Sequence, residues 1–304
     1  MQEWIVTEQQ SGSRIDKMLA EQLEEFTRSY LQKRFLAGDI VVNGKTVKPS
    51  YKVMEGDVIH VSVPEAQEPE IVPEPIPLDI LYEDSDVILV NKPKGMVVHP
   101  AAGHYSGTLV NALLYHCTDL SGINGILRPG IVHRIDMDTT GVLIACKNDF
   151  AHNSIAAQLK EHSITRRYEA IVYGNLREEE GTIEAPIGRH PTDRKKMAIN
   201  RKNGKEAITH YRVLERFGQY TWIECCLETG RTHQIRVHMQ YIGHPIAGDP
   251  KYSYKKTLDT NGQLLHACHI EFIHPTTKEK MAFDAPLDPI FKEILGRLER
   301  EESV

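Results

Sequence analysis

The stretch from Pro64 to Pro77 decides how this chain can be divided. Five prolines (Pro64, Pro69, Pro73, Pro75, Pro77) interleave there with Glu65, Glu68, Glu70 and Glu74. Proline fixes φ and removes a backbone donor, so neither a helix nor a central strand runs through such a segment. The composition predicts an extended, semi-rigid linker without a core of its own. The expected division is a small domain over 1–63, the linker over 64–77 and a larger domain over 78–304. A chain of 304 residues is long enough for both.

The net charge of −6 argues at first against a polyanionic partner. Its location reverses the inference. Residues 65–86 hold eight acids and no Lys or Arg, and without them the remainder stands at +2. Local patches, not the total, steer nucleic acid. Five cysteines, an odd number with only Cys225 and Cys226 adjacent, do not form a disulfide framework. No apolar run has the length of a membrane span, and the N-terminus lacks a signal-peptide pattern. A cytoplasmic protein without a membrane partner is expected.

In the small domain Ile15, Met18, Leu19 and Leu23 fall at helical spacing, and Leu31, Phe35 and Leu36 mark a second helix that Gly38 closes. Asn43-Gly44 between apolar runs is a hairpin signal, and Glu55-Gly56-Asp57 turns the chain into a last strand, Val58–Val61. The polar side carries Arg14, Lys17, Arg28, Lys33, Arg34, Lys45 and Lys48. On charge alone this is a solvated face, since acids are about as numerous. The order of elements, with R-I-D-K-M-L, R-S-Y-L-Q-K and G-D-I-V-V-N-G-K, resembles the RNA-binding domain of small-subunit ribosomal protein S-four. That resemblance implies RNA contacts from Arg14, Arg28, Lys33, Arg34 and Lys45.

The larger domain reads as α+β with a mixed, largely antiparallel sheet. Strands are expected at 80–82, 87–91, 164–173, 207–214, 220–227, 264–273 and 280–283. Helices are expected at 108–116, from a cap at Asp149, at 232–242 and at 288–300. Among these lies a compact polar patch, His133-Arg134-Ile135-Asp136-Met137-Asp138-Thr139-Thr140-Gly141, between the apolar runs Ile131-Val132 and Val142-Leu143-Ile144. It has the pattern of a loop between two buried strands.

Several chemistries can be set aside. His133-Arg134-Ile135-Asp136 looks like a kinase catalytic loop, but no glycine-rich phosphate loop precedes it and no Asp-Phe-Gly follows. His266, Cys268, His269 and His274 could bind metal, but strand alternation puts 269 opposite 266 and 268. Cys225 and Cys226 face opposite ways, and there is no Gly-x-Ser-x-Gly elbow. No metal is expected.

Three ordered segments then carry a resemblance over nearly the whole chain. H-R-I-D-M-D-T-T-G at 133–141 resembles the H-R-L-D-x-x-T-S-G signature of the RluA/RluD family of RNA pseudouridine synthases. R-R-Y-E-A-I-V-Y-G at 166–174 and L-E-T-G-R-T-H-Q-I-R-V-H-M at 227–239 follow in order, and the last continues into G-H-P-I-A-G-D-P at 243–250. The departures are Ile135 for Leu, Thr140 for Ser and Met137 where Lys is frequent. None removes a group the chemistry needs.

The resemblance implies isomerisation of a uridine within RNA, with ribosomal RNA of the large subunit or a pre-ribosomal particle as partner and no obligate protein partner. No cofactor is implied. It assigns the essential carboxylate to Asp136, a cation that keeps it ionised to Arg236, and a base-stacking ring to Tyr168. Arg134 would fill the gap left by a flipped base; Arg231 and His233 would contact substrate; His133 and Thr139 would organise the loop. On chemistry alone an Arg–Asp pair is more often a structural salt bridge, and Asp138 competes with Asp136. The basic run 189–205, with Arg194, Lys195 and Lys196, fits a mobile arm on the RNA backbone. The alternatives are a ribosome-associated assembly factor without catalysis and a nucleoside hydrolase acting on a free substrate.

Overall fold

The computed structural model describes residues 2–23, 28–62, 71–100, 104–123, 128–254 and 258–302. The chain separates into two compact units, Met1–Glu68 and Pro69–Val304.

In the smaller unit, β1 (Gln2–Ile5), β2 (Ile40–Val42), β3 (Lys45–Thr46) and β4 (Val58–Val61) form an antiparallel sheet in the order β1-β4-β2-β3. Helices α1 (Ile15–Gln22) and α2 (Arg28–Ala37) close a core containing Ile15, Leu19, Leu31, Phe35, Ile40 and Ile59. Asn43 and Gly44 both take positive φ, at 49° and 74°, as the tight hairpin between β2 and β3 requires. Leu36, expected on the apolar face, is 84% exposed, because one helical step past Phe35 carries it to solvent. Strand β1 was not expected; it is ordered by its ladder to β4, with Trp4 opposite Ile59.

The first part of the expected linker, 64–70, lies outside the described residues. Its second part, 71–77, has no regular secondary structure but belongs to the larger unit, against the expectation of a coreless segment. Ile71 is buried in that unit's core, the Glu74 N–H donates to the Asn111 carbonyl at 3.0 Å, and Asn111 Nδ2 donates to the Val72 carbonyl at 2.8 Å.

The larger unit is built on a nine-stranded sheet. Its strands are β5 (Ile80–Glu83), β6 (Val87–Lys92), β7 (Thr140–Cys146), β8 (Thr165–Tyr173), β9 (Glu180–Glu184), β12 (Ile208–Phe217), β13 (Tyr220–Leu227), β14 (Leu265–Ile273) and β15 (Lys280–Asp284). Between β9 and β12 a separate hairpin pairs β10 (Ile187–Arg189) with β11 (Met197–Ile199). The sheet runs β5-β6-β7-β14-β8-β13-β12-β9, with β15 on β14. Among the described residues only β7 and β14 pair in parallel, so the sheet is mixed and largely antiparallel, and the unit is α+β.

Among the described residues four helices accompany it: α3 (Leu109–His116), α4 (Asp149–Lys160), α5 (Gln234–Tyr241) and α6 (Pro289–Glu302). The cap of α4 is Asn148, whose side chain accepts from the Ala151 N–H, and Asp149 is the first helical residue. Strand alternation divides the core. Ala170 and Val172 of β8 join the main cluster, while Ile171 between them packs with Phe291, Leu295 and Leu298 of α6. No helix among the described residues is long and apolar enough to cross a membrane.

The parallel crossing depends on one residue. Gly141 has φ +106°, and a Cβ there would lie 2.2 Å from the Ala267 carbonyl oxygen of β14. Only glycine tolerates both the conformation and the approach. The polar patch precedes this crossing, held at the middle of the sheet. Its lead-in is less than the expected strand, with Ile131 making one isolated bridge to Ala145 of β7.

Candidate active site

The segment before β7 is fixed from several directions. His133 Nε2 accepts the Ile144 N–H at 3.1 Å, and burial with the nearby Arg166 charge lowers its imidazole to about 3, so it stays neutral. The Thr139 N–H donates to the Asp136 carbonyl at 3.1 Å, and Thr139 Oγ1 accepts from Gln263 Nε2 at 3.1 Å. Lys92, fully buried, donates from Nζ to the carbonyls of Pro93, Met96 and Met137 at 2.8, 2.9 and 2.9 Å. Three carbonyls around one ammonium brace the backbone directly after Asp136. Burial lowers Lys92 to about 7 despite the Asp138 and Asp136 charges.

The partner of Asp136 comes from α5, whose start is set by Gln234. The Gln234 Oε1 accepts from Thr229 Oγ1 at 2.8 Å and the Arg231 N–H at 2.9 Å, while Nε2 donates to the Ile208 carbonyl at 2.9 Å. His233 sits just before the helix at φ 59°. From the helix's first turn, Arg236 Nη1 donates to Asp136 Oδ2 at 2.8 Å. Its other edge meets Asp249, with Nε to Oδ2 at 2.7 Å and Nη2 to Oδ1 at 3.0 Å. One buried guanidinium therefore joins two carboxylates, which suits its planar fork.

Burial alone would raise the Asp136 carboxyl. Arg236, by charge and by hydrogen bond, outweighs that and holds it below its ordinary value. Burial leaves His233 at about 4 and hence neutral, so Arg236 is the partner that acts at neutral pH. Asp138 behaves oppositely: burial shifts its carboxyl upward in spite of Lys94 and Arg236. Of the two candidate aspartates, Asp136 is the one whose surroundings favour the charged form.

Asp136 lines a cavity of about 670 Å³ together with Arg134, Tyr168, Leu227, Arg231, His233, Ile235, Arg236 and Leu265. Tyr168 is buried on the cavity face of β8, and burial raises its hydroxyl above the ordinary tyrosine value. The three residues taken from separate motifs thus meet in one place. Arg134 lies exposed at the cavity wall. Arg231 lines it too, although its Nε is engaged by the Glu206 carbonyl at 2.7 Å.

Other expected contacts are placed differently. The first part of the basic run, through Lys196, is not an irregular arm but belongs to the β10–β11 hairpin, and Arg201, Lys202 and Lys205 follow it. Ile187 and Met197 pack with Val237 and Tyr252 in a small apolar cluster, an inward face that the charges around it conceal. The Met197 N–H donates to Tyr252 Oη at 2.8 Å, the same hydroxyl lies 2.7 Å from His233 Nδ1, and Lys196 Nζ stands 6.0 Å over the Tyr252 ring. Arg194 and Lys195 are exposed at the hairpin end. In the smaller unit Arg14 and Arg28 both grip the buried Asp16, at 3.0 and 2.8 Å, and Arg34 pairs with Asp39 at 3.2 Å. Lys33 and Lys45 are exposed. The histidines set aside as metal ligands have separate partners: His266 with Thr140 at 2.8 Å, His269 with Asp284 at 2.6 Å, His274 with Asp84 at 2.8 Å. A register shift in β14 between His266 and His269 also breaks the simple alternation expected there.

Sequence reasoning gave no role to Asp249, Tyr252, Lys92 or Arg166. Asp249 stood inside the quoted G-H-P-I-A-G-D-P run, which was the one signal that pointed to it.

Comparison with known proteins bears directly on this site. The profile described as RNA pseudouridylate synthase matches residues 86–241, and that of the S4 domain matches residues 13–59. An uncharacterized RNA pseudouridine synthase, YlyB, of Bacillus subtilis (strain 168) is 54% identical over 294 residues, covering 97% of each chain. The chain belongs to the RNA pseudouridylate synthase family. This pseudouridine synthase is also 46% identical to ribosomal large subunit pseudouridine synthase D of Zymomonas mobilis, over 93% of this chain and 92% of that one. A solved structure, human RNA pseudouridylate synthase domain containing 1, matches with a TM-score of 0.56 at 25% identity, covering 78% of this chain and 98% of that one. Within the synthase, Asp136, Tyr168 and Arg236 fall inside the matched 86–241, whereas Asp249 and Tyr252 lie beyond its end.

Proposed function

We propose that this pseudouridine synthase isomerises specific uridines of large-subunit ribosomal RNA in the cytoplasm, with Asp136 as nucleophile and without a cofactor. The observation that carries the reading is the Asp136 carboxylate, kept ionised by Arg236 in a cavity that also presents the Tyr168 ring. The choice of RNA is supported by the similarity to the Zymomonas relative named for the large ribosomal subunit.

The reaction breaks the bond from ribose C1′ to uracil N1 and makes one from C1′ to C5. The C5 proton leaves and N1 gains one, so the atoms balance. Asp136 supplies the negative charge beside the ribose. Stacking on Tyr168 holds the base and offsets the unstacking needed to bring it out of the RNA, each being worth a few kcal/mol. The Tyr168 hydroxyl, which burial holds above the ordinary tyrosine value, assists the late proton transfer. Arg134 at the cavity wall takes the space the base vacates.

The test is position-resolved pseudouridine mapping of total RNA from cells lacking the protein. Wild-type protein should restore one or more sites in large-subunit ribosomal RNA, and Asp136→Asn, which keeps shape and removes the charge, should restore none. Restoration by the Asn variant would overturn the nucleophile assignment.

A further inference from the structure

Arg166 is the least explained cation in the larger unit. It is only 7% exposed, yet its Nε has no hydrogen-bond partner among the described residues, and no carboxylate pairs with it there. Its neighbour Arg167, on the opposite face of β8, is by contrast paired with Glu224 at 3.4 Å. A buried charge without a counter-ion is costly, because no partner offsets its desolvation. Arg166 lies two residues before Tyr168 on the same strand face and lines the same cavity.

Two further observations concern the surroundings of this guanidinium. Gly230, across the cavity, has no positive φ, so its backbone does not require glycine. A Cβ there would lie 2.8 Å from Arg166 Nη1, so the missing side chain leaves room for the guanidinium. Among the described residues, Asp136 is the sole carboxylate on the cavity wall, and Arg236 already occupies it. Arg128 and Lys160 line the same wall, both exposed. The cavity therefore carries positive charge that nothing among the described residues neutralises.

We infer that Arg166, with Arg128 and Lys160 at the rim, forms a subsite for a phosphodiester group of the RNA strand beside the target uridine. The inference rests on the proposed reading of the cavity as a uridine site. It goes further by naming a charged anchor for the backbone next to the base. Placed on the strand that bears Tyr168, the anchor would fix the distance between the phosphate and the stacked ring. A nucleotide whose base reaches the ring would then be the one whose phosphate is gripped.

The test uses the full chain with three small probes: uridine, uridine 5′-monophosphate and uridine 3′-monophosphate, with dissociation constants measured by NMR or calorimetric titration. Wild-type protein should bind at least one monophosphate roughly tenfold or more tightly than uridine, as expected for a hydrogen bond to a charged group. The favoured isomer identifies which flanking phosphate is held. Arg166→Gln should abolish the preference, and Arg166→Lys should recover part of it. Gly230→Ala, which displaces the guanidinium and leaves the charge in place, should also abolish it and decides the matter if Arg166→Gln does not fold. Equal affinity of wild-type protein for uridine and both monophosphates, undetectable binding of both monophosphates, or an unchanged preference in the folded variants would overturn the subsite. Asp136→Asn should lose pseudouridine formation and keep the phosphate preference. A wild-type protein that prefers a monophosphate but restores no pseudouridine would count against the proposed function and leave the subsite standing.

Discussion

Arg236 is the residue on which both stability and the proposed chemistry converge, since its guanidinium bridges the buried carboxylate of Asp249 and the part-buried one of Asp136. Replacing it with Gln leaves the Asp249 carboxylate buried without its counter-charge and a second acid, Asp136, beside it. A loss of about 3–5 kcal/mol is expected, as for other broken buried pairs, measurable by urea denaturation. The same change should raise the Asp136 carboxyl, because the cation that opposes burial is gone. In the wild-type protein that carboxyl titrates below its ordinary value, so its contribution to stability is complete above the unfolded-state value of about 3.9 and is lost as pH falls through the folded one. The acid limb of the pH–rate profile should lie in that low range and move upward in Arg236→Gln; an unmoved limb would assign it to another group. The Asp136–Arg236 pair was legible in the sequence only because two motifs marked its ends; nothing local to either predicts a partner 100 residues away. Arg166 and Tyr252 were not legible, since a basic or aromatic residue in an amphipathic stretch acquires meaning only from what lies across the fold.

At the level of elements, the crossing of β7 and β14 fixes where the polar patch ends, and Gly141 permits it. Gly141→Ala should cost roughly 2–4 kcal/mol through strained backbone and overpacking. Thermal unfolding would show this, together with loss of pseudouridine formation from a displaced Asp136. A variant with wild-type melting temperature would mean that the two strands can part without consequence. Besides its apolar contact with Val237, the β10–β11 hairpin is tied to the start of α5 by the Tyr252 hydroxyl, which takes the Met197 N–H and contacts His233. Tyr252→Phe leaves that part-buried N–H without its acceptor and should cost about 1 kcal/mol, with faster amide exchange at Met197 as the local signature. Strong periodic segments such as β13 were readable to the residue. The hairpin was not, because Ile187, Met197 and Ile199 are three apolar residues scattered among seven basic ones. Nor was β1, whose four residues gain their order from β4 and not from their own pattern. The α4 cap shows the same limit on a smaller scale: Asn148 and Asp149 are both good caps, and the choice is made by Asn148, which also bonds Asp86 and Ser85.

For the whole molecule, each unit has its own core, so residues 69–304 produced alone should fold with the Asp136–Arg236 pair intact. RNA binding should weaken, and the slope of log affinity against log salt should become shallower by roughly 0.7 for every single-strand phosphate that the smaller unit no longer neutralises. An identical slope would leave the smaller unit without a part in binding. The bipartite plan was visible from the prolines, but how far the second unit extends was not, since Ile71 sits in an acidic, proline-rich stretch and is nonetheless core. The hundred-residue gap between Asp136 and Arg236 has a consequence during synthesis. A ribosome adding about 5–20 residues per second needs on the order of 5–20 s to pass from one to the other, and longer to release Asp249. Throughout that interval the Asp136 carboxylate is without its guanidinium, and a solvated side chain suffers no penalty for being charged. Burial of the centre must therefore wait until Arg236 and Asp249 have left the ribosome, so the pair closes only after both flanking stretches of sheet have been made.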